Sequence, residues 1–554
     1  MTPANAWVPS DGLRLEPNAL RAAKEEVRSL VLTAGPGAGK TEMLAQRADF
    51  LLRTGVCRYP NRILAISFKV DASKNLKERV MRRCGPNLAS RFDSHTFHAF
   101  AKRIIDRFRP VLVGEDQLDP GYTIGVRRID RKQIEFSDLV PLAVQILETS
   151  EMARNAIRQT YSDVFLDEFQ DCTGDQYRLI RTAFERSTIR LTAVGDTKQK
   201  IMGWAGAVDG IFATFASDFN ATPLNMYRNF RSKPRLLRLQ NEIIRKLDPP
   251  SVMPEDQLAG DEGQVFGWRF DNSQKEADYL AGLIATWVRE ELVPLSEIAV
   301  LVSKQLDLYA DRLMAALDAR KIPYRNEQEL QDLTAEPAAR LVVDYLACLY
   351  GQREPKAWKR LTTQLTPFAG EEVQSGARQD LMDVLKQQRV KVAAASLRGE
   401  PYADWWASAQ EFLDHVGRET LAALSSDYES EERLKDVLVD TKQRIEDLLG
   451  IEPDLPIALQ RLSDDQAVRI LTIHKSKGLE FDSVIMMAVE KEIFFGDQDA
   501  NRCAFFVGVS RAKRRLVLTH ADYRERPASH TKRWDAVRSA QSEYFGYVMP
   551  FVNS

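Results

Sequence analysis

A glycine-rich segment near the N-terminus has the spacing of a phosphate-binding loop. Residues 34–41 read AGPGAGKT, between a short β-branched run at 29–33 and a helical run that begins at Glu42. Small residues let the backbone wrap a phosphate with its N–H groups pointing inward, and the dipole of the following helix adds to the attraction. The pattern departs from the usual one at its first position, where alanine replaces glycine. It predicts a site for a nucleoside triphosphate.

The side chains of this loop have separate predicted roles. Lys40 is placed to reach the β- and γ-phosphates, and the Thr41 hydroxyl is placed to hold Mg²⁺. The other predicted nucleotide contacts are small residues of the loop, namely Ala34, Gly35, Gly37, Ala38 and Gly39. A purely structural turn is the alternative, but a Lys-Thr pair at this spacing argues against it.

Acidic residues follow a predicted buried strand. The strand covers 163–166, and Asp167 and Glu168 come directly after it in the sequence DEFQD. At the carboxyl end of a parallel strand near the P-loop, Asp167 would hold the metal ion and Glu168 would polarise the attacking water. Such a cluster alone is often only a solvated loop. Its combination with the phosphate-binding loop favours a site that hydrolyses nucleotides.

Two sets of short apolar runs alternate with helical stretches, which is typical of parallel α/β domains. The first set is 29–33, 62–68, 163–166 and 189–194, and the second is 297–302, 468–473, 483–489 and 515–519. Two sets of buried strands predict an α/β fold with two parallel sheets. Residues 352–464 almost lack strand signals and predict a helical insertion, whose aromatic residues at helical spacing favour core packing.

The composition of the whole chain limits the class of protein. Its 554 residues suffice for three or four domains, and its 77 basic and 79 acidic side chains nearly balance. This balance argues against coating nucleic acid by bulk positive charge, but not against gripping a strand in a local groove. No membrane-length apolar run and no signal-peptide pattern are present, and the five cysteines are scattered. We therefore expect a cytoplasmic protein without a zinc site.

Six motifs, in their order along the chain, resemble those of the UvrD/Rep-like helicases of superfamily 1. They are AGPGAGKT, DEFQD, VGDTKQ, NFRS, HKSKGLEF and VSRAK. The resemblance implies two RecA-like P-loop domains with helical insertions. The first motor domain would comprise 1–100 and 161–222 with a small helical insertion at 101–160. The second would comprise 223–351 and 465–554 with the helical insertion at 352–464.

The resemblance also assigns residues to ATP and DNA. The added nucleotide contacts are Gln199 and Arg231 on the γ-phosphate, Arg511 as an arginine finger, Phe230 on adenine, and Gly478 and Glu480, with Glu480 near the ribose. The implied DNA contacts are Phe68 and Trp204 as base-stacking rings, with Thr96, His98, Thr472 and His474 near the backbone. Packing inside the protein is the alternative for Trp204 and His98.

The implied function is an ATP-dependent motor that moves 3′ to 5′ on single-stranded or tailed duplex DNA, in DNA repair or antiphage defence. Ala19 stands where the family usually has a glutamine that reads adenine, which predicts weaker selectivity for ATP. The alternative is a DNA-sensing ATPase that unwinds little by itself and regulates a separate nuclease, such as one of the OLD family. The chain is similar in size and layout to the compact helicase-like subunits of antiphage systems such as Gabija.

Overall fold

Two six-stranded parallel sheets form the framework of the chain. The computed structural model describes residues 2–68, 70–125, 127–196, 198, 208, 210–327, 333, 336–365, 371–400, 402–424, 428, 431–462, 466–527, 530–531 and 533–553. Within these ranges the strands are, in chain order, β1 (Leu30–Ala34), β2 (Arg62–Ser67), β3 (Phe92–Thr96), β4 (Leu118–Gly125), β5 (Arg131–Glu135), β6 (Tyr161–Leu166), β7 (Arg190–Gly195), β8 (Thr222–Met226), β9 (Gln264–Phe270), β10 (Ile298–Val302), β11 (Tyr324–Asn326), β12 (Val468–Thr472), β13 (Phe481–Met486) and β14 (Ala512–Ala521).

Helices cover both sheets and form most of the remaining described chain. In chain order they are α1 (Pro17–Ala23), α2 (Lys40–Arg53), α3 (Val70–Cys84), α4 (Pro86–Ala89), α5 (Phe97–Phe108), α6 (Leu139–Thr149), α7 (Glu151–Thr160), α8 (Gly174–Phe184), α9 (Ile211–Asp218), α10 (Pro234–Leu247), α11 (Ser273–Arg289), α12 (Leu306–Tyr309), α13 (Asp311–Ala319), α14 (Pro337–Tyr350), α15 (Pro355–Leu365), α16 (Glu371–Leu397), α17 (Trp405–Val416), α18 (Arg418–Ala423), α19 (Glu431–Ile451), α20 (Leu455–Gln460), α21 (Gln498–Val509) and α22 (Ser542–Val548). None of the helices in these ranges has the length and apolar composition needed to cross a membrane.

The first sheet has the strand order β3-β2-β6-β7-β1-β8, with every neighbouring pair parallel. Separate apolar cores cover its two faces, one built around α2 and the other around α5, α6 and α8. Burial on both faces explains the nearly continuous apolar sequences of β2, β6 and β7. Because the strands run parallel, the residues that follow β1, β6 and β7 meet at one edge of the sheet.

The second sheet has the strand order β11-β12-β10-β13-β14-β9 and is also parallel. All five residues of β10 are buried, and the core around this sheet includes residues of α10, α11, α13, α21 and α22. The chain passes from the first sheet to the second only a few residues after β8, because α10 already packs on the second sheet. The predicted α/β fold with two parallel sheets is therefore confirmed.

All eight predicted strands are present, and each end lies within three residues of its predicted position. Among the strands of the two large sheets, the sequence analysis missed β3, β8, β9 and β11, and it also missed β4 and β5 of the small sheet. The sequence of β3 is FDSHT and that of β8 is TPLNM, so neither has the apolar, β-branched pattern of a buried strand. Both lie at the ends of the first sheet, where a strand has a neighbour on one side only.

The two insertions differ from their predicted form in detail. The 101–160 segment was expected to be helical, but it also contains the small sheet formed by β4 and β5. Its helix α6 packs in the same core as β2 and β6, so the segment completes one face of the first sheet. The 352–464 segment is helical in its described parts, and its core also includes α14, which precedes the predicted boundary. The domain boundaries themselves stay predictions.

Candidate active site

The phosphate-binding loop joins β1 to α2, as its sequence predicts. Gly37 and Gly39 have positive φ angles of 68° and 80°, in the left-handed region that only glycine adopts at little cost. The helix begins at Lys40, whose Nζ lies 3.4 Å from the carbonyl oxygen of Ala34. The free N–H groups of the first turn of α2 therefore face the loop and favour an anion there.

Asp167 and Glu168 lie at the carboxyl end of β6, on the same edge of the sheet as the loop. Asp167 is 4% exposed, and its Oδ1 accepts the backbone N–H of Glu168 at 3.0 Å. Burial and the neighbouring Glu168 raise the pKa of Asp167. Burial also opposes ionisation of Glu168, but the charges of Lys40 and Lys477 outweigh it and lower the pKa of that carboxyl. Glu168 has a φ of 50°, a strained backbone conformation of the kind that clusters at functional sites.

Gln170 connects this acidic pair to the neighbouring strand. Its Nε2 donates to Glu168 Oε2 at 2.7 Å, and its Oε1 accepts the backbone N–H of Asp196 at 2.9 Å. The contact requires a glycine at the end of β7, because a Cβ on Gly195 would lie 2.1 Å from Gln170 Oε1. Sequence analysis did not single out Gln170, although it lies inside the DEFQD motif.

The segment that follows β8 covers the phosphate-binding loop. The backbone N–H of Phe230 donates to the carbonyl oxygen of Gly37 at 2.9 Å. A Cβ added to Gly37 would lie 2.3 Å from Asn229 Oδ1 and 2.6 Å from Arg231 Cβ. This segment is anchored to the second sheet, since Ser232 Oγ donates to the carbonyl oxygen of Ala512 at 2.7 Å. The P-loop therefore contacts a segment that the second sheet positions.

Arg231 and Arg511 lie beside one another on the side of the second sheet, and the charge of Arg511 reaches Glu168. Arg231 Nε donates to Glu480 Oε2 at 2.8 Å, and its Nη1 donates to the carbonyl oxygen of Ser510 at 3.0 Å. Arg511 is 2% exposed. Burial and the nearby Arg231 lower its pKa to about 9, while the carboxylate of Glu168 acts in the opposite direction. The charges of Lys40 and Arg511 both act on Glu168, and Arg231 lies beside Arg511. The catalytic roles of these residues stay predictions.

A buried ion pair also joins the two sides. Lys477 Nζ lies 2.5 Å from Asp171 Oδ2, and their side chains are 4% and 5% exposed. Asp171 ends the DEFQD motif, whereas Lys477 precedes Gly478 in the segment after β12. Sequence analysis assigned no role to either residue, because only the fold shows that these distant segments meet.

An open cleft lies beside Phe230, whose side chain is 54% exposed. It is lined by Glu16, Pro17, Asn18, Tyr227 and Arg228, among others. The Arg228 guanidinium lies 5.0 Å from the centre of the Phe230 ring. An exposed ring at the mouth of the P-loop is suited to stacking on a nucleotide base. Ala19 is 2% exposed within the core of the first sheet and does not line this cleft.

Three predicted DNA contacts of the first domain, Phe68, Thr96 and His98, lie together at the carboxyl ends of β2 and β3. Ser67 and Thr96 are paired across these strands, so Phe68 lies beside Thr96. Thr96 Oγ1 accepts the N–H of Ala99 at 3.2 Å and caps α5. The His98 ring stacks on Phe136 with centroids 4.1 Å apart, so His98 packs within the protein while remaining partly exposed.

The other predicted DNA residues lie on the second sheet or outside the described ranges. Thr472 ends β12, and its Oγ1 accepts the N–H of Lys475 at 3.4 Å. His474 follows it and is partly exposed. Gln199 and Trp204 lie outside the described residues, and their predicted roles stay predictions.

Comparison with known proteins identifies the family. Residues 15–124 and 122–220 match the family model of the UvrD/REP helicase N-terminal domain, and residues 224–398 and 399–523 match that of the UvrD-like helicase C-terminal domain. The chain is 24% identical to the ATP-dependent DNA helicase PcrA of Bacillus subtilis (strain 168), with 92% of this chain and 83% of PcrA covered.

Two Escherichia coli (strain K12) proteins are similar over comparable lengths. DNA helicase II is 24% identical, with 90% of this chain and 83% of the relative covered. The ATP-dependent DNA helicase Rep is 23% identical, with 92% of this chain and 91% of Rep covered. Because the two family models together cover most of the chain, it belongs to the UvrD/Rep family of superfamily 1 DNA helicases, which are ATP-hydrolysing enzymes.

Proposed function

We propose that this enzyme hydrolyses ATP in the cleft between its two sheets and uses the cycle to move 3′ to 5′ along single-stranded DNA, separating duplex ahead of it. The contact between the P-loop and the Asn229–Arg231 segment is the main support. Groups from both sheets border one pocket, so hydrolysis and the relative position of the sheets are linked. The direction of movement rests on the family resemblance.

Lys40 and the P-loop backbone bind the β- and γ-phosphates in this proposal. The donors near Lys40 fit Mg²⁺, because Asp167 is a buried carboxylate that a cation would stabilise and Thr41 supplies a hydroxyl oxygen. Mg²⁺ usually binds through one or two carboxylates plus substrate phosphates and keeps several waters, and in P-loop enzymes a threonine hydroxyl and an aspartate supply the protein oxygens. When bound, Mg²⁺ neutralises the charge that develops on the phosphates.

Glu168 orients the attacking water and accepts its proton. The Nε2 of Gln170 donates a hydrogen bond of 2.7 Å to one oxygen of Glu168, which orients the carboxylate. Arg231 and Arg511 stabilise the charge on the transferred phosphoryl group from the side of the second sheet. Phe230 stacks on the base of the nucleotide, with the ribose near Glu480. Opening of the cleft would withdraw both arginines, which couples hydrolysis to domain movement.

Single-stranded DNA crosses the carboxyl edges of both sheets in this proposal. Phe68 and Trp204 stack on bases, while Thr96, His98 and the Thr472–His474 segment lie near the backbone. Stacking tolerates any base sequence, as a motor that moves along DNA requires.

The steady-state rate of ATP hydrolysis, with and without single-stranded DNA, tests the proposal. We expect DNA to stimulate hydrolysis, and Lys40→Ala and Glu168→Gln to abolish it. The matched control is Glu148→Gln, which removes a surface carboxylate that pairs with Arg178 at 2.8 Å. Normal turnover by Glu168→Gln would refute the assigned site.

Strand displacement from tailed duplexes tests the direction and the coupling. We expect unwinding from a 3′ tail and none from a 5′ tail. Unwinding only from 5′ tails would overturn the polarity. Hydrolysis that DNA stimulates without any strand displacement would favour a DNA-sensing ATPase over a helicase.

A further inference from the structure

An aromatic ring with a cation above it lies exposed beside the second sheet. Phe495 is 62% exposed, although large apolar side chains are usually buried. Lys304 Nζ lies 4.2 Å from the centre of the Phe495 ring and 3.4 Å from its carbonyl oxygen. The predicted roles above use neither residue.

The pair lies next to the predicted DNA contacts of the second sheet. Lys304 comes two residues after the end of β10, and Phe495 follows β13. Strand β10 lies between β12 and β13, and Val302 is paired with Thr472. The N–H of Ile473 donates to the carbonyl oxygen of Val302 at 2.9 Å. Ligands of parallel sheets bind at this carboxyl edge.

Contacts with buried residues hold the backbone around Phe495 in place. Asn501 Nδ2 donates to the carbonyl oxygens of Phe494 and Phe495, both at 3.2 Å. Phe494 is 6% exposed and packs edge-on against Tyr544, with ring centres 5.0 Å apart. A ring that is exposed and yet attached to a fixed backbone loses little conformational entropy when a planar ligand stacks on it.

Lys304 adds positive charge at the same place. Partial burial lowers the pKa of its ammonium group, so a nearby anion would stabilise the charged form. The two residues together supply a stacking surface and a cation, which are the two components of sequence-independent binding of single strands.

We propose that Phe495 stacks on a base of single-stranded DNA and that Lys304 contacts the adjacent phosphate. The site extends the DNA path over the second sheet. This inference rests on the proposed function, because it assumes that DNA crosses the carboxyl edge of that sheet.

The test measures binding of a fluorescent oligothymidylate to the full chain by anisotropy. Removing one stacked ring typically weakens binding about 5- to 150-fold, which is the expected effect of Phe495→Ala. Phe495→Trp should bind like the parent, because the larger ring restores the stacking surface. Lys304→Gln should weaken binding less than Phe495→Ala, and it should reduce the magnitude of the slope of log K against log salt by about 0.7, the value for one phosphate contact on a single strand.

Tyr59 and Arg91 provide a matched control. Tyr59 is 85% exposed and Arg91 lies 5.8 Å from its ring. Tyr59 precedes β2 and Arg91 precedes β3, so the pair lies at the opposite, amino edge of the first sheet. Tyr59→Ala should leave oligothymidylate binding unchanged.

The outcomes separate this inference from the proposed function. If the parent binds DNA and Phe495→Ala binds equally well, the inference is wrong and the motor proposal stands. If Tyr59→Ala weakens binding as much as Phe495→Ala, the effect is not specific to this edge and the inference is also wrong. If the parent binds no oligothymidylate, both proposals fail.

Discussion

Substitution of Gly37 tests whether the second sheet's side closes over the P-loop. In Gly37→Ala the new Cβ would lie 2.3 Å from Asn229 Oδ1 and 2.6 Å from Arg231 Cβ. Asn229 Oδ1 cannot move freely, because it accepts the backbone N–H groups of Arg231 and Ser232 at 2.8 and 3.2 Å. Relief of the collision therefore requires the segment to leave the loop, which breaks the hydrogen bond from Phe230 to Gly37.

The expected magnitude follows from a comparison with Gly39→Ala. Both glycines have left-handed φ angles, so an alanine at either position costs about 1–2 kcal/mol in backbone strain. Only Gly37 adds a steric conflict, because nothing lies within 4 Å of a Cβ on Gly39. Overpacking of this kind costs about 1–3 kcal/mol. The free energy that holds the Asn229–Arg231 segment against the loop should therefore be about 1–3 kcal/mol less favourable in Gly37→Ala than in Gly39→Ala.

Hydrogen exchange of the Phe230 amide without nucleotide measures this difference directly. A loss of about 1–3 kcal/mol in closure corresponds to exchange about 5- to 150-fold faster in Gly37→Ala. Gly39→Ala should leave this amide as protected as in the parent. Equal exchange in both variants would refute the idea that the Asn229–Arg231 segment closes on the loop.

Three further outcomes follow from the described contacts. Lys477→Met removes the ammonium group that pairs with the buried Asp171 carboxylate and should cost about 3–5 kcal/mol in urea unfolding. Lys391→Met, which breaks an exposed pair with Glu411, should cost less than about 1 kcal/mol, and losses of equal size in the two variants would contradict this prediction. Burial, assisted by Arg103, lowers the pKa of His95 to about 4. The unfolded chain therefore binds more protons between pH 6.5 and 4, so stability should fall by up to about 3 kcal/mol as the pH drops through this range. His95→Gln should reduce the drop in the thermal midpoint between pH 6.5 and 4. If this variant shows the same pH profile as the parent, His95 is not the group responsible. Thr173 caps α8, so Thr173→Ala should cost about 0.5–2 kcal/mol in urea unfolding and Thr173→Ser much less; equal losses would exclude a capping role.

The sequence predicts those parts of the site whose chemistry is local. The P-loop requires small residues followed by Lys40, and the acidic pair must follow a buried strand, so both can be recognised from short segments. The role of Gln170 is harder to recognise from the sequence, because it depends on contacts with Glu168 and with the end of another strand. The Lys477–Asp171 pair depends wholly on how the two sheets pack.

The same distinction applies to the fold. Central strands such as β2 and β10 are buried on both faces and have apolar sequences that identify them. The end strands β3 and β8 carry polar residues or proline, and only pairing with their neighbours makes them strands. The β4 and β5 pair within the 101–160 segment has a largely exposed, polar sequence, so no hydrophobic pattern marks it.

The short connection between the sheets has a consequence for how the protein can evolve. The residues between β8 and α10 form the covalent joint of the two halves, and Asn229, Phe230 and Arg231 within it also form one wall of the nucleotide pocket. One inserted residue would displace Arg231 by up to about 3.5 Å along the chain. The length of this joint is therefore constrained by chemistry as well as by folding, and insertions are better tolerated elsewhere, as in the helical region after α14.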